Sequence, residues 1–416
     1  MFIPRVVLKE LTMNGLRCLP GFALLVSMAA TAAPQVDVIA NGLSNPRGLA
    51  FAADGALYVA EAGKGGNGAC AVLGDGQTAC YGETGAVLRI DLSGRKEPAH
   101  VLARLPSLAP EGGFGATGPQ AVAFNAAGKG VVAMGLGSRP ETREGLGRYA
   151  YLFARVLAVP ARRGMAVPVS RDKTVAAAGA AAASSEDGKA SEKALFDLAA
   201  YDAANDPAGD GVDSNPVGLL GQGEDFLAVD AGGNSLLRLG RDLQISTLAT
   251  FGSRDVPAPP FLGLPPGATM PMQAVPTSVA AGPDGALYVG QLTGFPFPAG
   301  AANIYRVPAE GGEPVVFASG FTNVIGVAFD ATGRLLVLQI GNGFAGPGGP
   351  PLLAPGRLIR VEADGSRTIV YENLYYPGGL AIGPDGAAYV TNNSIVPGPI
   401  PGAFPDGGQV LRISLD

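Results

Sequence analysis

The sequence predicts an all-β protein, a six-bladed β-propeller of four-stranded blades whose ring is closed by an N-terminal strand pairing into the last blade. Three observations predict it. One phrase, an apolar strand, a glycine-bearing turn and a second apolar strand, recurs six times along 416 residues. Third and fourth strands follow several of the copies. The last copy is one strand short, and an unattached strand stands near the start of the chain.

In chain order, residues 1–33 read as a signal peptide. Arg5, Lys9 and Arg17 precede the apolar run "LPGFALLVSMAA" (Leu19 to Ala30), and "TAAPQ" supplies small residues for cleavage near Ala32 or Ala33. About a dozen apolar residues are too few to span a bilayer. Met13 opens a signal of more ordinary length, and Cys18 precedes the apolar run, which argues against a lipoprotein. The expectation is an exported, periplasmic or extracellular protein with no membrane insertion after cleavage. Residues 34–416 would then form a single propeller domain.

The first mature strand, "QVDVIANGL", has no hairpin of its own and reads as an outer strand. The six copies then follow: "NPRGLAFAADGALYVAEAG" from Asn45, "GPQAVAFNAAGKGVVAMGLG" from Gly118, "NPVGLLGQGEDFLAVDAGG" from Asn215, "VPTSVAAGPDGALYVGQLTG" from Val275, "NVIGVAFDATGRLLVLQIG" from Asn323 and "YPGGLAIGPDGAAYVTNNS" from Tyr376. Asp-Gly and similar turns suit hairpins because primed turns need residues that tolerate positive φ. Strands apolar on both faces suit a sheet sandwiched between two others. Third and fourth strands show in "AVLRIDL" with "HVLARL", "SLLRLG" with "QISTLATF", "NIYRVP" with "PVVFAS" and "GRLIRVE" with "RTIVYEN". The last copy has only "GQVLRISLD" after it, so the N-terminal strand completes its blade and removes an open edge. The 63 glycines and 35 prolines fall mostly at recurring offsets between apolar runs, as turns do. Residues 163–193, ending in "TVAAAGAAAASSEDGKASEK", break the rhythm and read as a low-complexity insertion between two strands of the second blade.

Cys70 and Cys80 are an even pair in an exported chain and read as a disulfide closing a glycine-rich loop. Two free thiols or half a metal site are the alternatives. A net charge of −6 and the absence of basic runs exclude a nucleic-acid footprint, and a monomer is expected.

In a propeller the turn before the innermost strand and the loop after the second strand open on one face. Those places hold Asn45, Arg47, Gln120, Asp213, Asn215, Thr277, Asn323 and Tyr376, and then Glu61, Asp230, Gln291, Gln339 and Asn392, with Met134 in the second copy. Five polar residues in six copies at one position exceed what an apolar strand needs, so the set is the candidate ligand-binding ring, with Tyr376 at its rim. Glu61, Asn215 and Asp230 are candidate metal ligands, and an all-oxygen set suits Ca²⁺ before Mg²⁺. Part of the pattern is also what turn-capping by amides and carboxylates produces.

Other motifs fail on context. "GKGGNG" and "GNGFAG" match a dinucleotide fingerprint but open no helix after a strand. "DPAGDG" begins like a calcium loop, yet Ala208 and Val217 occupy ligand positions. His100 is the only histidine and is expected at the surface, on an outer strand far from the channel.

"FLAVDAGGNSLLRL" resembles the NHL repeat. The combination of "GLSNPRGLAFAADGALYVAEAGKGGNGAC", "CYGETGAVLRIDL", "YDAANDPAGDGVDSNPVGLL" and "VDAGGNSLLRL" resembles the ScyD/ScyE family of exported proteins over nearly the whole mature chain. That resemblance implies a signal peptide and an NHL-like six-bladed propeller without a settled reaction. Gln120 stands where relatives often carry histidine. A wider likeness to propeller lactonases places a cation on the axis, held here by Glu61, Asn215 and Asp230. The expectation is a propeller that binds a small molecule or protein partner at its channel mouth, accessory to a biosynthetic pathway. The alternative is a calcium-dependent, lactonase-like hydrolase using the same channel.

Overall fold

In the computed structural model, which describes residues 33–74, 76–160, 194–341 and 355–415, six four-stranded antiparallel blades stand in a ring. The innermost strands are Pro46–Phe51, Pro119–Phe124, Pro216–Gln222, Pro276–Ala281, Val324–Phe329 and Gly379–Ile382. Each packs on the next, and the sixth packs on the first. The expected closure is present: Val36–Leu43 pairs antiparallel with Gly408–Ile413 and is the outermost strand of the last blade. Pro34–Asp416 make up one compact unit.

The apolar cores lie between blades, and strand parity fills them. In Leu57–Glu61, Leu57 and Val59 enter the core shared with blade six, while Tyr58 and Ala60 enter the core shared with blade two. Phe226 and Ala228 face blade two, and Leu227 and Val229 face blade four. Leu335 and Val337 likewise face blade four, with Leu336 and Leu338 turned to blade six. A second strand buried on both faces is why its sequence shows no polar alternation.

Two local devices repeat at the ring's centre. Pro46, Pro119, Pro216 and Pro276 open inner strands, where the outer edge faces the channel and a missing N–H leaves no ladder bond broken. Small residues then let neighbouring inner strands approach. A Cβ on Gly48 would lie 2.9 Å from the Ala121 Cα, and one on Gly379 would lie 2.9 Å from the Gly48 Cα.

Several elements go beyond the sequence reading. Cys70–Val72 forms a short strand against Thr78–Ile90, and Cys70 and Cys80 are directly opposed and disulfide-bonded, as expected. A helix, Leu198–Asn205, follows the fourth strand of blade two; Asp197 caps it by accepting the Ala200 N–H at 3.1 Å. A separate hairpin pairs Arg254–Pro257 with Thr269–Met272 between blades three and four. The insertion expected at 163–193 falls between strands Arg155–Val159 and Ala194–Asp197 of blade two and, like the signal peptide up to residue 32, lies outside the described residues. No helix among the described residues is long and apolar enough to cross a membrane.

Candidate functional site at the channel mouth

Each second strand is tied to the start of its inner strand by one repeated backbone bond. The N–H groups of Ala62, Gly135, Ala231, Leu292, Ile340 and Ser394 donate to the carbonyls of Asn45, Gly118, Asn215, Val275, Asn323 and Tyr376. Both sequence positions singled out above therefore do meet at the mouth in all six blades.

Their side chains do not all face it. Glu61, Asp230, Gln291, Gln339 and Asn392 are in phase with the second-strand residues that face the preceding blade, so they turn into the inter-blade crevice. There most of them cap the incoming connection. Glu61 accepts the Ser44 N–H at 2.9 Å, Gln339 the Thr322 N–H at 3.2 Å and Asn392 the Tyr375 N–H at 2.6 Å. Gln291 accepts the Asn303 N–H at 3.0 Å, within its own blade. Asp230 accepts from the Ser214 hydroxyl at 2.6 Å and from the N–H groups of Asn215, Gly232 and Gly233 at 2.6, 3.2 and 3.1 Å. Met134 occupies the equivalent slot of blade two and is simply core.

The asparagines divide. Asn45 is fully buried and spent: its Nδ2 donates to the carbonyls of Gly63 and Gly113, and its Oδ1 accepts the Ala116 N–H. Asn215 Oδ1 accepts the Leu136 N–H at 3.2 Å. Asn323 donates to the Leu292 carbonyl, and its Oδ1 is buried without a partner. Thr277 is bonded to the Val324 carbonyl of the next blade at 2.8 Å.

Two expectations need correction. Tyr376 is buried, with φ of 46°, and the rim aromatic is its neighbour Tyr375, 47% exposed and in edge contact with the Tyr376 ring. His100 does lie on an outer strand, but its Nε2 is 2.7 Å from Glu61 Oε2, and that hydrogen bond raises the imidazole's pKa against partial desolvation. Leu88, opposite His100 on the neighbouring strand, shares the blade-six core with Leu57 and Val59. Side chains on the same face of one sheet thus converge across two strands.

Both Glu61 oxygens and both Asp230 oxygens are engaged in hydrogen bonds, and Asn215 Oδ1 accepts the Leu136 N–H. Among the described residues no three His, Cys, Asp or Glu side chains converge in a way that holds a metal ion. The carboxylates beside blade three are instead crowded. Burial, then the charge on Asp230, raises Asp202 to about 7, and burial followed by Asp230 and Asp210 raises Asp213 to about 6.

What remains at the mouth is a short arc. Arg47, second residue of its inner strand, reaches the next connection: Nη2 donates to the Ala116 carbonyl at 2.7 Å. Its Nε is buried without a partner, and no carboxylate pairs with it among the described residues. Desolvation lowers its pKa to about 10. Gln120 holds the same place in blade two, and its amide makes no hydrogen bond within the described protein. Gln120 and Asn215 pack closely on Gly135, since a Cβ there would lie 3.0 Å from Gln120 Nε2 and 2.8 Å from Asn215 Oδ1.

The opposite face carries the other half of the repeated phrase. Asp54, Asp284 and Asp385 close the first hairpin turns and bond Arg89, Arg306 and Arg412 of the third strands at 2.7, 2.8 and 2.6 Å. Tyr288 and Tyr389 add hydroxyl bonds to Asp284 and Asp385 at 3.2 Å. Burial opposes ionisation of these three carboxyls, but their hydrogen bonds hold all of them below the ordinary value. A groove of about 400 Å³ lies there, lined by Asp54, Arg89, Asp91, Ser93, Arg95 and Lys96 among others.

Fold and mouth together define a six-bladed β-propeller with a mostly capped polar ring. No family model matches the chain, and no curated protein does. Solved structures similar to it include the PQQ-bound aldose sugar dehydrogenase of Streptomyces coelicolor, at 14% identity over 92% of this chain and 99% of that one, TM-score 0.49. A gluconolactonase of Xanthomonas campestris is similar at 12% identity over 91% and 90%, TM-score 0.47. The selenomethionine form of virginiamycin B lyase from Staphylococcus aureus is similar at 12% over 92% and 100%, TM-score 0.44. Likeness of this degree assigns no chemistry.

Proposed function

We propose that the protein is an exported propeller of the ScyD/ScyE kind that binds a small molecule at its channel mouth. One observation carries the reading: the Glu61 and Asp230 carboxylates cap connections, while the guanidinium of Arg47 keeps a buried Nε without a partner, with the amide of Gln120 beside it on the next inner strand. A mouth whose unsatisfied guanidinium faces a neutral amide suits retention of a ligand. The Cys70–Cys80 disulfide supports a non-cytoplasmic setting.

Saturation-transfer NMR of the purified chain with benzoate, benzamide, butyrate, butyramide and glycerol tests this. At least one probe should bind at millimolar concentration and be lost in Gln120→Trp, which fills the mouth. No bound probe, or binding indifferent to that substitution, refutes it.

A further inference from the structure

We infer that Arg47 is the anion-recognising group of this mouth and that its ligand class is a small organic monoanion, a carboxylate. The inference rests on the binding reading above and narrows it.

A guanidinium shielded from water normally meets a carboxylate, because an unneutralised charge in a low-dielectric site is costly. Other shielded arginines of this protein follow the rule. Arg89, Arg143 and Arg155, with side chains 12–13% exposed, pair with Asp54, Asp197 and Asp197 at 2.7, 3.0 and 2.6 Å. Arg47 has a single neutral partner, the Ala116 carbonyl, and a buried Nε with none. Arg254, on the hairpin between blades three and four, is also satisfied only by a carbonyl, that of Ala301, and its Nε is likewise buried without a partner.

The surroundings of Arg47 set the class of ligand. Among the mouth positions it is the only cation, and the neighbouring inner strand offers the neutral amide of Gln120. Glu61 and Asp230 lie in the adjoining crevices and disfavour a polyanion. One guanidinium with one amide neighbour balances a single negative charge and satisfies the two oxygens of a carboxylate.

The connection over Arg47 holds it in place. Gly115 N–H donates to the Ile395 carbonyl at 3.0 Å, and Ala116 N–H to Asn45 Oδ1 at 3.2 Å, so the Ala116 carbonyl is fixed from blade six as well as blade one. The guanidinium is thereby oriented before a ligand arrives, and orientation of that kind reduces the entropy lost on binding.

Isothermal titration of the full chain with benzoate and benzamide, and with butyrate and butyramide, tests the inference. Each anion should bind at least about 10-fold tighter than its isosteric amide, the scale of a charge-assisted hydrogen bond. Arg47→Met should abolish that preference, Arg47→Lys should restore part of it, and Arg254→Met should leave it intact. Equal affinity for anion and amide in the unsubstituted protein overturns the inference while the binding reading survives, and needs no variant to fold. Tighter binding of inorganic phosphate than of either carboxylate overturns the monoanion class. Absence of binding by all four probes removes the binding reading itself.

Discussion

Asp230→Ala separates a capping carboxylate from a ligand-binding one. The carboxylate is 1% exposed and accepts four donors: one hydroxyl and three backbone N–H groups. A buried donor stripped of its acceptor costs about 1–3 kcal/mol. The Ser214 hydroxyl can rotate to another acceptor, which leaves three N–H groups. Burial itself disfavours the Asp230 charge, so its removal returns part of that cost. The expected net loss is about 3–5 kcal/mol, or roughly 4–6 °C in Tm at about 1.2 °C per kcal/mol for a domain of this size. Asp230→Asn keeps one oxygen toward the three N–H groups and is expected to lose only about 1 kcal/mol. Thermal unfolding followed by circular dichroism, without added ligand, reads both. A loss below about 1 kcal/mol for the alanine variant, coupled with lost probe binding, would refute the capping argument and return Asp230 to the ligand site.

Two further outcomes follow from the same structure. Asp202 has its folded pKa raised to about 7, so its neutral form favours folding; that contribution is full below the ordinary value of 3.8, declines as pH rises and is gone above about 7. Asp202→Asn should therefore raise Tm at pH 8 and leave it unchanged near pH 3, and equal effects at both would contradict the burial argument. Replacing Cys70 and Cys80 by alanine removes a cross-link with a sequence separation of 10 and should cost about 3 kcal/mol by loop-closure entropy; an unchanged Tm would show that the bridge constrains only a hairpin that frays independently.

The architecture was legible because each repeated phrase encodes its own hairpin, as "DGALYV" does twice. The orphan strand before Leu43 had no other partner to find. The channel site was only partly legible. Residues such as Glu61 and Gln339 occupy the expected positions, but a strand apolar on both faces conceals which way its last residue turns. Parity with Leu57 or Val337 decides that, once the neighbouring blade is known. The Glu61–His100 contact spans 39 residues and two strands of one sheet, a separation that no local pattern marks. The Asp–Arg pairs on the opposite face were present in sequence as Arg89, Arg306 and Arg412 at one place in three third strands. They were hidden by reading those strands for apolarity alone. Arg47 was one candidate among the ring residues in the sequence, and only its missing carboxylate in the structure sets it apart.

The most direct measurement is a crystal structure of the protein soaked in benzoate. The carboxylate is expected at the channel mouth, within hydrogen-bond reach of Arg47 and Gln120. An empty mouth, with benzoate held only in the groove of Arg89, Arg95 and Lys96 on the opposite face, would contradict it.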